Sequence, residues 1–493
     1  MDERSRSPRV PSASDPGGRL TRTLLISHDV IGASMAGPGI RYYHLARELA
    51  PFVDLRLALL TVDAGPEQTL PAPGQLDGIE LTTYRKRDWD SISPAARWAD
   101  VIILPTDIAT EFPQLADLDA ALVIDGYDPL LAEWLALFSD LPPAQREHAW
   151  FQRMRELHAQ YLMGDFYICA SERQRLWWLG QLEAAGRLHP ETFQADPSLH
   201  NLVDIAPYGL REDPPVHAHP VARGVWPGID PDDKLILWGG GLWPWLDPVT
   251  AIRAAARIRE RRQDVKLLFP GTRHPNPIMQ GMPTQNEAAF AAAEELGLRD
   301  SCVFFGDWVP YNRWPSLLLE CDVALSLHYD TVETQLAFRS RLFDYIWASL
   351  PAVVTKGDAT SDLVTRYDLG HVVDYEDVDG VADAILALLD EPASARRANF
   401  QAAQVQLTWR SAAEPLIRFC QHPRRAPDRV AGTTDGVPYY RAQLQENRRQ
   451  LEEAQTRVAE LEALVRGYES GKVMRAMQGF DRWRVRLTGG DHG

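Results

Sequence analysis

Short apolar runs, each long enough for one buried strand, recur along this chain in two series with helical segments between them. The first series is TLLIS, LRLALL, DVIILP, ALVIDG and FYICAS, with helical patterns around residues 40 to 50, 143 to 162 and 172 to 185. The second is KLILWGGG, KLLFPG, CVFFGD, DVALSL, AVVT and HVVDY. A strand that is apolar at successive positions is buried on both faces, and alternation of such strands with helices builds parallel sheets covered on both sides. The pattern therefore predicts an α/β chain with two Rossmann-like, doubly wound domains, at 21–215 and 230–404, separated by a loop rich in Pro and His between Pro214 and Asp232.

A chain of 493 residues, 45% hydrophobic and 24% charged, has material for more than one core. Its formal net charge of −17 argues against sequence-independent nucleic-acid binding, which needs dense Lys and Arg to neutralise phosphates. Lysine is limited to Lys86, Lys234, Lys266, Lys356 and Lys472, while arginine is abundant. That reads mostly as coding bias, although arginine suits bidentate phosphate contacts. Cys169, Cys302, Cys321 and Cys420 are scattered without a CxxC, which suggests a reducing compartment and no zinc site. Residues 1–20 lack an apolar core and read as a disordered cytoplasmic leader, neither signal peptide nor membrane span.

The segment Val303 to Val354 carries the densest chemistry. CDVALSLH reads as a buried strand, Glu333 and Thr334 lie in the loop after it, and a helical pattern starts past Ala337. A helix N-terminus supplies free N–H groups and the positive end of a dipole, and Arg339 and Arg341 add charge beside it, so the arrangement suits a diphosphate. Gly239, Gly240 and Gly241 follow the strand LILW, and Asp247 with Pro248 opens the next helix. In the first domain the loop after TLLIS holds Gly32, Gly37 and Gly39. His28, Asp29, Asp125 and Asp128 lie at predicted carboxyl ends of strands, where a general base would sit. Asp125 is the choice for positioning an acceptor, against the alternative that it caps the helix after Pro129. Ser171 and Asp377 read as helix caps, the latter despite its DxD context.

These residues resemble the C-terminal domain of family 4 glycosyltransferases of the GT-B fold, in which two glutamates in a loop and helix precede Gly-x-Pro. The resemblance covers most of residues 21 to 422. Asp344, seven residues before Pro351, stands where the family has its second glutamate, which makes it the ribose or nucleoside ligand. Leu336 stands at the first glutamate's place, and Glu333 is the nearest carboxylate for a donor-sugar contact. In the family the loop after LILW faces the donor phosphates, which implicates Gly240 and Gly241. Its usual arginine and lysine are replaced by Leu242, Trp243 and Trp245, so the phosphate charge falls to Arg273, Arg339 or Arg341, the last two preferred. Gly37, Gly39 and Arg41 become cleft residues, Trp308 and Val309 form a wall for the nucleobase, and the helix within 405–422 crosses back onto the first domain. The resemblance implies no metal and no cofactor beyond the nucleotide-sugar substrate.

After a polar linker at 426–436, Leu444, Leu451, Val458 and Val465 recur every seven residues, with Ala454, Leu461 and Tyr468 at the intervening core positions. A coiled coil over 438–470, mediating homodimerisation, is the reading, against a solitary charged helix. In 471–493, Val473, Met474, Met477, Phe480 and Trp483 lie among Lys472, Arg475, Arg482, Arg484 and Arg486. Such a tail suits either peripheral contact with an anionic membrane or docking on protein.

The expectation is a cytoplasmic glycosyltransferase, working at the inner face of the membrane if the tail binds there. It would move a sugar from a nucleotide sugar to a glycan or lipid-linked acceptor in cell-envelope synthesis, with retention of configuration. Two rivals stand beside it: a GT-B epimerase or phosphorylase, and an inactive GT-B scaffold serving as an assembly subunit. Leu336 and the replaced basic pair favour the scaffold.

Overall fold

In the computed structural model the described residues are 19–61, 79–106, 108–392, 394–430 and 438–470, and beyond them 475, 476, 479, 480, 482 and 483. The expected leader up to residue 18, most of the linker and most of the basic tail lie outside them. The chain divides into two units, 1–431 and 432–493.

The first unit contains two all-parallel sheets. One has β1 (Arg22–Ser27), β2 (Asp54–Leu60), β3 (Glu80–Tyr84), β4 (Val101–Pro105), β5 (Ala121–Asp125), β6 (Phe166–Cys169) and β7 (Val203–Ile205), in the order β3-β2-β1-β4-β5-β6-β7. The other has β8 (Lys234–Trp238), β9 (Val265–Pro270), β10 (Val303–Gly306), β11 (Val323–Ser326), β12 (Ala352–Thr355) and β13 (Gly370–Val373), in the order β10-β9-β8-β11-β12-β13. Successive side chains leave opposite faces of a strand. Leu25 accordingly joins one hydrophobic core while Leu24 and Ile26 join another, and Leu235 and Leu237 part in the same way from Ile236 and Trp238. One core takes in a face of each sheet, which makes the two domains share packing.

The strand order reverses between β1 and β4 in the first sheet and between β8 and β11 in the second. A crevice opens at the carboxyl ends of strands at such reversal points, and the two glycine loops leave β1 and β8 there. The helix Gly37–Leu49 follows the first loop and packs against Trp409–Gln421, the returning helix, whose Trp409 ring stacks on His44 at 5.0 Å. Phe419 of that helix stacks on Phe166 at 4.7 Å.

Every apolar run noted above forms a strand. Two strands were not anticipated: ELTTY, an edge strand with mostly exposed residues, and VDI, only three residues long. The helix expected past Ala337 is present, but the loop expected at Glu333 and Thr334 is corrected. Val332–Leu336 is a short helix capped by Thr331, the chain then extends at Ala337, and Arg341–Trp347 begins anew without a side-chain cap.

The end of the first unit is fastened by buried charge. Arg187, fully buried, donates to the Tyr161 carbonyl at 2.7 Å, the Tyr167 hydroxyl at 2.7 Å, the Gly164 carbonyl at 2.8 Å and both oxygens of Asp428. Removing one partner of a buried pair strands the other charge, at a cost of about 3–5 kcal/mol. Asp428→Ala should therefore lower the urea midpoint of the first unit, and Arg187→Met on top of it should recover part of the loss; equilibrium unfolding followed by tryptophan fluorescence measures both.

In the second unit, Pro438–Ser470 forms one helix. Exposed ion pairs run along it: Arg449 with Glu453 at 2.5 Å, Arg457 with Glu460 at 3.2 Å and Arg466 with Glu462 at 3.4 Å.

Candidate active site

A cavity of about 460 Å³ lies between the two sheets of the first unit. From the first domain it is lined by His28 and Asp29 after β1, Gly37 at the start of the first helix, and Tyr127 and Asp128 after β5. From the second it is lined by Gly239, Gly240 and Gly241 after β8, Trp308 and Val309 after β10, and Arg339, Arg341 and Asp344. The strand ends of both domains thus meet in one space, closed by contacts across it. Asn276 donates to Asp29 Oδ1 at 2.7 Å, and the Tyr311 hydroxyl lies 2.8 Å from His44 Nε2.

The two arginines proposed for phosphate differ sharply. Arg339 donates to both oxygens of Glu333 at 2.8 and 2.7 Å, and its Nε lies 3.6 Å from Asp358. Burial alone would lower the guanidinium's pKa, but Glu333 and Asp358 outweigh it and the value is raised. Two carboxylates therefore already neutralise Arg339. Among the described residues Arg341 has no carboxylate partner: Nη2 reaches the Gly241 carbonyl at 3.4 Å, and Nη1 is buried without a hydrogen bond. Its guanidinium sits 5.5 Å from the Trp238 ring, and a Cβ at Gly240 would lie 3.6 Å from Nη2. Desolvation lowers the Arg341 pKa to about 10, which still leaves the charge in place at neutral pH. Gly240 has φ +86°, a conformation that glycine adopts without strain and that carries the backbone past this cation.

Asp344 lines the cavity one helical turn beyond Arg341. It accepts from Trp314 Nε1 at 2.9 Å and lies 3.8 Å from Arg211 Nη2. Arg211 itself is held between the rings of Tyr311 and Trp347, at 4.1 and 4.3 Å. Burial raises the Asp344 pKa, with Arg211 and Trp314 opposing it.

Four expected residues stand elsewhere, and Arg41 with them. Asp125 does not reach the cavity: it is buried, and Arg41 binds both its oxygens at 2.7 and 2.9 Å, so it neither faces an acceptor nor caps the following helix. Arg41 lies in the same sealed pair and does not line the cavity. Glu333 is buried beneath Arg339, its carboxylate spent on that guanidinium. Gly39 is required by packing, since a Cβ there would lie 2.1 Å from the Val30 carbonyl oxygen. Arg273 is exposed, and its neighbour His274 lines the cavity in its place, 5.7 Å from the Trp243 ring and 5.4 Å from Trp308. Ser171, Asp247 and Asp377 cap their helices as read, accepting from Gln174, Thr250 and Gly380.

Sequence reasoning missed Arg211, Trp314 and Glu133, which line the same cavity. Glu133 follows Asp128 on the helix Leu130–Leu137, so a second carboxylate five residues on was the available signal; nothing local marked Arg211. Among the described residues no group of three or more His, Cys, Asp or Glu could hold a metal ion.

Residues 227–405 match the family Glycosyl transferases group 1. The second domain therefore carries a segment of the glycosyl transferases group 1 family. Solved structures that resemble the chain share its GT-B architecture at low sequence identity. Sucrose-phosphate synthase from Thermosynechococcus elongatus is 16% identical with a TM-score of 0.53, covering 80% of this chain and 97% of its own. An α,α-trehalose-phosphate synthase from Burkholderia xenovorans, in complex with glucose-6-phosphate, is 14% identical with a TM-score of 0.53, covering 81% and 100%. The Anabaena protein HepE, in complex with UDP-glucose, is 13% identical with a TM-score of 0.52, covering 81% and 98%. No curated protein matches this chain in sequence.

Burial pushes the Asp128 carboxyl up to about 7, with His28 opposing the shift. A folded-state carboxyl pKa above its unfolded value near 4 means that the folded chain binds more protons between those limits, so stability falls as pH rises through about 4 to 7. Asp128→Asn should remove this fall: its melting temperature should exceed that of the wild type by more at pH 8 than at pH 5, as thermal melts at the two pH values would show.

Proposed function

We propose that this protein is a glycosyltransferase that takes a sugar from a nucleoside diphosphate sugar held mainly by the second domain and passes it to a glycan or lipid-linked acceptor entering beside the first. The observation that supports this reading is Arg341, half-buried with Nη1 sealed from solvent and with no carboxylate partner among the described residues, set beside the glycines after β8. A cation partly withdrawn from water without a paired carboxylate is costly, and a diphosphate would supply negative charge and accept from Nη1. The same contact would strengthen as the diphosphate leaves and gains charge, which is where binding becomes catalysis. Asp344, one turn away, would accept from ribose hydroxyls, and Trp308 with Val309 would flank the base. Closure of the two domains would exclude water that could hydrolyse the donor.

Transfer with retention, through a dissociative, oxocarbenium-like transition state, is part of the proposal. So is a cytoplasmic role in assembling cell-envelope glycans, for which Phe480 and Trp483, exposed in the tail beside Arg482, give modest support. No helix among the described residues is long and apolar enough to cross a membrane. Because HepE was solved with UDP-glucose, UDP sugars are the first donors to test.

One observation favours the inactive scaffold: Leu336 is buried, and its carbonyl accepts from Gln174 at 2.8 Å, while Glu333 is bound to Arg339. A thermal-shift series with UDP, GDP, ADP, dTDP and CMP and their sugar conjugates separates the readings, since a ligand of the folded state raises its melting temperature. Selective stabilisation by one nucleotide series is expected, together with a loss of about 10²–10³ in kcat for Arg341→Ala at unchanged stability. No shift with any nucleotide, in folded protein, would leave the scaffold reading in its place.

A further inference from the structure

The helix Pro438–Ser470 carries an apolar stripe that the described structure leaves uncovered. Leu451 is 58% exposed, Val458 54%, Leu461 50% and Val465 53%, although aliphatic side chains at heptad a and d positions ordinarily lie in a seam. At 1.5 Å per residue the helix is about 50 Å long, and an isolated charged helix with a continuous stripe of this kind loses the burial that stabilises most helices. We infer that the stripe is covered by the same helix of a second copy of this chain, in a parallel, in-register, two-stranded coiled coil. This goes beyond the transfer reaction and does not depend on it.

The charges flanking the stripe choose the occupant. With Leu444, Leu451, Val458 and Val465 at a, the g positions are Gln443, Gln450, Arg457 and Leu464, and the e positions are Arg448, Gln455, Glu462 and Glu469. A parallel homodimer sets each g residue against the e residue five places on in its partner. Arg457 then meets Glu462 twice by symmetry, Gln450 meets Gln455, Gln443 meets Arg448, and no like charges are opposed. Arg457 and Glu462 now make only exposed intrahelical pairs, with Glu460 and Arg466, which are weak enough to be exchanged. Orientation follows from the d series Asn447, Ala454, Leu461 and Tyr468. Parallel pairing sets Asn447 against its own copy, where two amides can satisfy each other, whereas a fully overlapped antiparallel pair would set it against Val465. A polar residue at one core position specifies register in this way at some cost in stability.

Sedimentation equilibrium on the full chain tests the inference. A monomer–dimer equilibrium is expected, abolished by Leu461→Asp while the melting temperature of the first unit stays unchanged. Arg457→Glu alone should weaken the dimer about tenfold, and adding Glu462→Arg should restore it, because the reversed charges again face each other. Leu461→Cys should give a disulfide-linked dimer on mild oxidation under conditions that leave the wild type unlinked, since only the parallel in-register pair brings this position against itself. A chain that stays monomeric at every concentration overturns the proposal. So does a dimer that resists Leu461→Asp, or one whose Leu461→Cys form does not cross-link.

Discussion

The ends of the first sheet are tied together by one buried ion pair. Arg41, on the helix after β1, binds both oxygens of Asp125 at the end of β5 and also donates to the Ala206 and Pro207 carbonyls beyond β7, at 2.8 and 3.1 Å. Its guanidinium lies 4.7 Å from the Tyr127 ring. Burying two charges costs several kcal/mol each before their attraction is counted, and the arrangement is tolerable because each guanidinium nitrogen finds an acceptor. What it secures is position. Gly37, Asp128, Tyr208 and Arg211 all lie within a few residues of the groups that Arg41 joins, so the first wall of the cleft inherits its geometry from a pair that never touches the cavity.

The second wall follows a related logic with an opposite outcome. Arg339 and Arg341 are two residues apart, yet the fold neutralises one and leaves the other bare. Arg339 sits over Glu333 and Asp358, whose own pKa is lowered by His328 and Arg339 despite burial. Among the described residues Arg341 meets backbone carbonyl and an aromatic face. A protein that needed both cations for packing would have paired both. Leaving one unpaired in the cleft is a standing electrostatic cost, and such costs concentrate where a ligand removes them.

The strand pattern was legible because a parallel sheet covered on both faces demands runs without polar interruption, and that demand is local. ELTTY escaped because an edge strand has one unpaired side and tolerates polar residues, and VDI because three residues carry too little pattern. The glycine loops were legible for the same local reason. The charge pairing was not. Asp125 stands 84 residues from Arg41, and Arg211 reaches Asp344 across 133 positions; a carboxylate at a strand end looks the same in sequence whether it faces a ligand or a buried guanidinium. Glu333 and Arg339 are only six residues apart, but the break at Ala337 that folds one onto the other has no distinct sequence signature.

The near absence of lysine also takes on structural weight once the buried cations are compared. Arg41, Arg187 and Arg339 each use the planar fork to engage a carboxylate through two nitrogens, and Arg187 serves four groups on three segments at once. An ammonium has three donors on one atom and a stronger hold on water, so it can neither span those partners nor be desolvated as cheaply. Coding bias can supply arginine at the surface, where exchange with lysine is nearly neutral. At these three positions the geometry itself requires it, and the same property lets Arg341 remain charged in the cavity with its pKa lowered to about 10.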